Sequence, residues 1–108
     1  MKLSKKIRKV LEELNWCILG DGKGTEIEIE NCSPAGEDLI EQIDLTKPIK
    51  EQVWEIYNDF DEDEHVEMWV EARRNGVNGV PSIRELVQDA DEIKRMYEEL
   101  AIRISEVA

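Results

Sequence analysis

Thr25-Glu26-Ile27-Glu28-Ile29-Glu30 alternates without exception, with Ile27 and Ile29 on one side of an extended chain and Glu26, Glu28 and Glu30 on the other. Side chains along a strand point to opposite faces with a period of two, so this stretch reads as a strand with one dry and one wet side. A sheet with a single apolar face has to be covered on that face by other elements. Upstream, Gly20-Asp21-Gly22-Lys23-Gly24 reads as a turn. A hairpin folded about Asp21, Gly22, Lys23 and Gly24 sets Ile18 opposite Ile27 and Trp16 opposite Ile29, so apolar partners share a face. The same register puts Cys17 across from about Glu28 and leaves Cys32 beyond bridging distance. Ser33, Pro34, Ala35 and Gly36 form a second turn. Residues 38–45 fit two patterns: Leu39, Ile40 and Ile43 suit a helix, whereas Leu39, Ile43 and Leu45 suit a strand. We read them as a third strand.

Outside this core the period changes to that of helices. Leu3, Ile7, Val10, Leu11 and Leu14 share one helical face. From Pro48, which fits a first turn, Ile49, Val53, Ile56, Tyr57 and Phe60 give a buried stripe. Asp61 with Glu64 is a capping box for a helix burying Val66, Trp69 and Val70, with His65 on its exposed side. Ser82 with Glu85 opens a last helix with Ile83, Leu86, Val87, Ala90, Ile93, Tyr97, Leu100 and Ile104 inward. The expected architecture is α+β in a single domain over residues 1–108: an N-terminal helix, a three-stranded antiparallel meander, then three helices packed on one face of the sheet.

The net charge of -12 is unevenly spread. Of the 26 acidic side chains, 16 lie between Glu26 and Glu71, where only Lys47 and Lys50 oppose them. Apolar residues make up 41% of the chain, more than a disordered acidic tail carries, so the charge overlies a folded body. The basic start, MKLSKKIRKVLEELNW, is an amphipathic helix rather than a signal peptide, and no apolar run approaches the roughly 18 residues of a membrane span. The expected location is the cytoplasm.

Little in the chain points to catalysis or cofactors. Asp59, Asp61 and Asp63 occupy positions 1, 3 and 5 of an EF-hand loop, but Glu64 stands where the glycine is needed and Val70 where the last glutamate is needed. Glu62 and His65 have the Glu-x-x-His spacing of di-iron bundles in one copy only. Cys17, Cys32, Ser33 and Ser82 have a single histidine among them as a base, so neither a metal site, a cofactor nor a catalytic residue is expected. Lys2, Lys5, Lys6, Arg8 and Lys9 lack interleaved aromatics, and the overall charge repels phosphate, so direct nucleic-acid binding is not expected either.

Three strings, SPAGED (33–38), NDFDEDEHVEMW (58–69) and NGVPSIRELVQDADEI (78–93), resemble a family of short acidic proteins encoded by bacterial phages and other mobile elements, often in gut Firmicutes. The resemblance spans roughly residues 25 to 100 and carries over no catalytic residue. It implies a context: small acidic proteins of mobile elements are similar in role to antirestriction and anti-CRISPR proteins, many of which imitate DNA. The expected function is therefore a non-enzymatic interaction protein that binds a basic, nucleic-acid-binding host protein. Its contact residues would be Glu26, Glu28 and Glu30 on the strand, about 6.7 Å apart, with Asp61, Glu62, Asp63, Glu64, Glu67 and Glu71 around one helix. The alternative is an accessory domain in which acid confers only solubility and the 73–81 loop, bearing Val77 and Val80, or a helix face meets the partner.

Overall fold

In the computed structural model, which describes residues 2–20 and 24–108, helix α1 (Lys5–Glu13) leads into strands β1 (Cys17–Leu19), β2 (Glu26–Cys32) and β3 (Asp38–Asp44). Helices α2 (Ile49–Asp59), α3 (Glu62–Arg74) and α4 (Ile83–Val107) follow. The strands form one antiparallel sheet in the order β1-β2-β3, and residues 38–44 are indeed its third strand. Ile27, Ile29, Leu39 and Ile43 are buried on the face that the helices cover.

Local chemistry sets most boundaries. Ser4 caps α1 by accepting from the Ile7 amide at 3.2 Å. The helix stops because Asn15 takes φ 65, a left-handed conformation that asparagine tolerates. Asn15 then donates to the Glu12 carbonyl and Trp16 to the Leu11 carbonyl, the paired bonds of a Schellman termination. The same pair recurs after α3, from Gly76 (φ 87) to Arg73 and from Val77 to Ala72. Gln52 locks α2 to the end of β3, accepting from the Asp44 amide and donating to the Asp44 carbonyl, each at 2.8 Å. Lys94 reaches from α4 to the carbonyls of Tyr57 and Phe60, supplying donors to the otherwise unpaired C-terminal end of α2.

The hairpin register differs from the expectation by two residues. Cys17 pairs with Glu30, Ile18 with Ile29 and Leu19 with Glu28. Trp16 is not a strand partner of Ile29, because the termination of α1 holds it against Leu11 and pairing begins one residue later. The connection therefore runs from Gly20 to Thr25, and Asp21, Gly22 and Lys23 of the expected turn lie outside the described residues. A two-residue shift preserves the alternation of faces, so Ile18 still lies on the side of Ile27 and Ile29.

Helix α4 is the spine of the core. Ile93, Leu100 and Ala101 are fully buried and Ile104 nearly so. Tyr97 stacks on Trp16 with ring centroids 6.1 Å apart and meets the edge of Phe60 at 5.7 Å. Its hydroxyl donates to Glu41 Oε1 at 3.0 Å. Glu41 lies on the helix-covered face of β3 between Leu39 and Ile43, a position at which the sequence reading assigned no inward residue. Burial, above all, pushes its carboxyl pKa up, partly offset by the Tyr97 hydrogen bond. Burial likewise raises the Tyr97 phenol, so it stays a donor. The inward set expected for α4 needs one correction: Ile83 and Val87 are 55% and 53% exposed. Both lie in the first turns of α4, where Val87 borders an open groove with Glu62, Asp63 and Val66 of α3 instead of being covered by it.

Replacing Leu100 by Ala should cost about 2–5 kcal/mol in urea unfolding, whereas Val87→Ala on the exposed flank should change stability by less than about 0.5 kcal/mol. A carboxyl with a raised folded-state pKa contributes stability that is present below the ordinary Glu range and is lost as pH rises through the raised value. Glu41→Gln keeps an acceptor for Tyr97 and removes that titration. Its urea midpoint should exceed the parent's at pH 7, and the fall in stability above pH 4.5 should flatten.

Candidate functional site

Two acidic surfaces and one polar junction are the candidates. The first surface is the uncovered face of the sheet. Glu26, Glu28 and Glu30 run down the central strand, opposite Asp44, Gln42 and Ile40 of β3. Glu28 and Glu30 also stand opposite Leu19 and Cys17 of β1. Among the described residues no ion pair reaches the three glutamates. Leu19 and Ile40, 44% and 53% exposed, flank this acidic line. Cys17 and Cys32 are both free and line a shallow cavity with Glu30 and Asp38. The Cys32 thiol donates to Asp38 Oδ1 at 3.6 Å, and chiefly that bond raises its pKa. A raised thiol pKa means less thiolate and a weaker nucleophile.

The second surface belongs to α3. Asp61 Oδ1 accepts from the amides of Asp63 and Glu64 at 2.9 and 3.1 Å, so its carboxylate serves the helix N-terminus. Glu62, Asp63 and Glu64 fill the first turn, where the helix dipole favours negative charge. Asp63, Glu64, Glu67 and Glu71 are exposed, Glu62 is half-buried beside α4, and Glu71 pairs with Arg74 at 3.3 Å. Helix α3 packs on α4 and touches none of the strands, while the strand glutamates face away from the helical layer. The acids that the sequence groups together thus form two separate surfaces. Among the described residues no group of three or more potential ligands could hold a metal ion.

The junction was not foreseen. His65, expected on the exposed side of α3, is 8% exposed. The α3 face that meets α4 centres on His65, while Val66, Trp69 and Val70 are only half-buried. His65 packs against Phe60, with ring centroids 5.5 Å apart, and its Nε2 lies 3.6 Å from Asp89 Oδ2. Asp89 itself is 6% exposed. Neither His65 Nε2 nor Asp89 Oδ1 has a hydrogen-bond partner. Beside them is a cavity of about 180 Å³ where the β2–β3 turn meets the α3–α4 loop. Asp89 and the buried Leu86 form its inner wall, and Glu37, Trp69, Gly79 and Pro81 lie around them. The sequence held one signal for this site: Asp89 interrupts an apolar stripe, three residues after Leu86 and four before Ile93. Compared with known protein families, with curated proteins and with solved structures, the chain matches none.

A buried pair without full hydrogen bonding is costly, and replacing both partners by apolar residues of similar volume is often neutral or stabilising, whereas removing one alone is not. The double variant His65→Leu with Asp89→Leu should therefore leave urea stability unchanged or raise it by about 1 kcal/mol. His65→Ala opens a void and strips Asp89 of its neighbour, and should cost about 3 kcal/mol or more.

Proposed function

We propose that the protein is a non-enzymatic interaction protein that engages a basic, nucleic-acid-binding host protein by presenting carboxylates in place of phosphates. The observation that carries this reading is the line of Glu26, Glu28 and Glu30 along the central strand of an uncovered sheet face, with no cation of the described chain paired to it. Regularly spaced, unneutralised carboxylates create a negative potential that steers a basic groove and competes with nucleic acid for it. The mechanism is competitive occupancy. The acids of α3, Asp61, Glu62, Asp63, Glu64, Glu67 and Glu71, form a second surface that adds long-range attraction or meets a second basic patch. The resemblance to acidic proteins of phages and mobile elements supports an anti-defence role of the antirestriction or anti-CRISPR kind, acting in the cytoplasm of a bacterial host. No helix among the described residues is long and apolar enough to cross a membrane.

A second reading has its own observation. The 73–81 loop borders the junction cavity through Gly79 and Pro81, with the Arg73 guanidinium tied to the carbonyls of Val80 and Pro81 and with Val77 50% exposed. A partner seated there would use the loop, and the acidic surfaces would serve solubility.

Immobilised protein should retain basic DNA-binding proteins from a bacterial lysate, release them at moderate salt, and lose them to added duplex DNA. The variant E26Q/E28Q/E30Q should abolish retention, and E64Q/E67Q/E71Q should weaken it. A partner that holds through high salt and ignores both variants would replace mimicry with the loop reading.

A further inference from the structure

An edge strand carries two rows of backbone groups, one bonded to its neighbour and one pointing outward. In β3 the hydrogen bonds show which residues supply which row. Leu45, just past the strand, donates its amide to the Thr25 carbonyl at 2.7 Å, so the odd-numbered residues turn their backbone toward β2. Asp44 turns the other way, its amide and carbonyl both bonded to Gln52 of α2. Alternation along the strand then points the amides and carbonyls of Ile40 and Gln42 out of the sheet. None of these four groups meets a hydrogen-bond partner among the described residues. Both residues are exposed, Ile40 by 53%. The other edge strand, β1, is three residues long against seven for β3 and offers a shorter row.

No proline, lysine or bulge blunts this edge, and its register against β2 runs unbroken. Its charged residues, Asp38, Glu41 and Asp44, are all acidic. Glu41 is turned to the helical layer, where it accepts from Tyr97, and Asp44 is engaged by Thr46 and Lys47. Like charges set opposite one another oppose pairing with a second copy, which brings a further net charge of -12. A basic strand meets the reverse. On the open face Ile40 stands opposite Glu30, and Gln42 opposite Glu28. Neighbouring strands lie about 4.8 Å apart, so a strand added to β3 runs about 10 Å from β2. An arginine laid across Ile40 from that strand covers the exposed side chain with its methylene stem and brings its guanidinium to Glu30.

We propose that the outer edge of β3, at Ile40 and Gln42, receives an extended basic segment of the partner protein as a fourth strand, whose cationic side chains cross the open face to Glu30 and Glu28. Strand addition of this kind takes its affinity from main-chain hydrogen bonds and its specificity from alternate side chains. The site rests on the reading that the partner engages the strand carboxylates, and it adds how the partner's backbone is held.

The test is titration of the isotope-labelled full chain with the acetylated, amidated heptapeptide Thr-Arg-Thr-Arg-Thr-Arg-Thr, whose arginines share one face when extended, followed by NMR shifts and amide exchange. Saturable binding is expected to slow exchange of the Ile40 and Gln42 amides severalfold and to leave those of Glu41 and Ile43, already bonded to β2, unchanged. The same peptide N-methylated at its three arginines keeps its charge and loses the facing donors, so it should bind about tenfold or more weakly. Gln42→Pro removes one outward donor where an edge strand tolerates proline, and should weaken binding severalfold with an unchanged circular dichroism spectrum. Shifts at Glu26, Glu28 and Glu30 without protection of Ile40 and Gln42, together with equal binding of the N-methylated peptide, would overturn the edge site and leave carboxylate mimicry standing. Equal, salt-independent binding of the peptide with glutamine in place of arginine would overturn the basic occupant. Protection of the two amides that rises with protein concentration in the absence of peptide would give the edge to a second copy instead.

Discussion

Covering the Ile27 and Ile29 face of β2 is the constraint from which the rest of the architecture follows. A sheet with one apolar face must bury that face against another layer, and α4 is the element long enough to cover it and still extend beyond the sheet. Ile93, Leu100, Ala101 and Ile104 fill the space above the strands, and Tyr97 joins the layers through Trp16, Phe60 and the Glu41 carboxylate. The flanking helices attach to this spine. Arg103 of α4 pairs with Glu13 of α1 at 2.5 Å, and Trp54 of α2 donates to Ser105 at 2.8 Å.

The length of α4 also explains the two ends of the molecule. Its second half meets β3 through Tyr97 and Glu41, α1 through Arg103 and Glu13 and α2 through Ser105 and Trp54, whereas its first turns border depressions shared with α3 and with the turn between β2 and β3. A thinner layer there leaves Ile83 and Val87 exposed and leaves a cavity beside His65 and Asp89. A stability-optimised sequence would fill such a space with apolar side chains. The incompletely paired Asp89 is instead a local inconsistency within the fold.

The acidic charge plays different parts in different places. Asp61 and its neighbours stabilise the start of α3 by capping and by the helix dipole, which is a structural use of charge that needs no partner. The strand glutamates have no such structural use. They stand on a face that the fold leaves uncovered, beside the exposed Leu19 and Ile40.

Periodic and short-range signals were legible in the chain. The alternation of Thr25–Glu30, the apolar stripes of α1, α2 and the second half of α4, and the caps at Asp61 and Ser82 are set by residues a few positions apart, and each produced the element the sequence indicated. Alternation on the second face, with Ile18 beside Ile27 and Ile29, was equally local. What tertiary structure alone decided was which faces meet. The two-residue shift of the hairpin came from the termination of α1 at Asn15, and the inward turn of His65 and Glu41 came from the position of α4 against α3 and β3. The separation of two acidic surfaces, and the closing of a cavity over Asp89, likewise depend on contacts between residues far apart in the chain. Pattern reports how polar and apolar residues are divided on each element, but only packing determines which flank of that element is covered and which polar group is left inside.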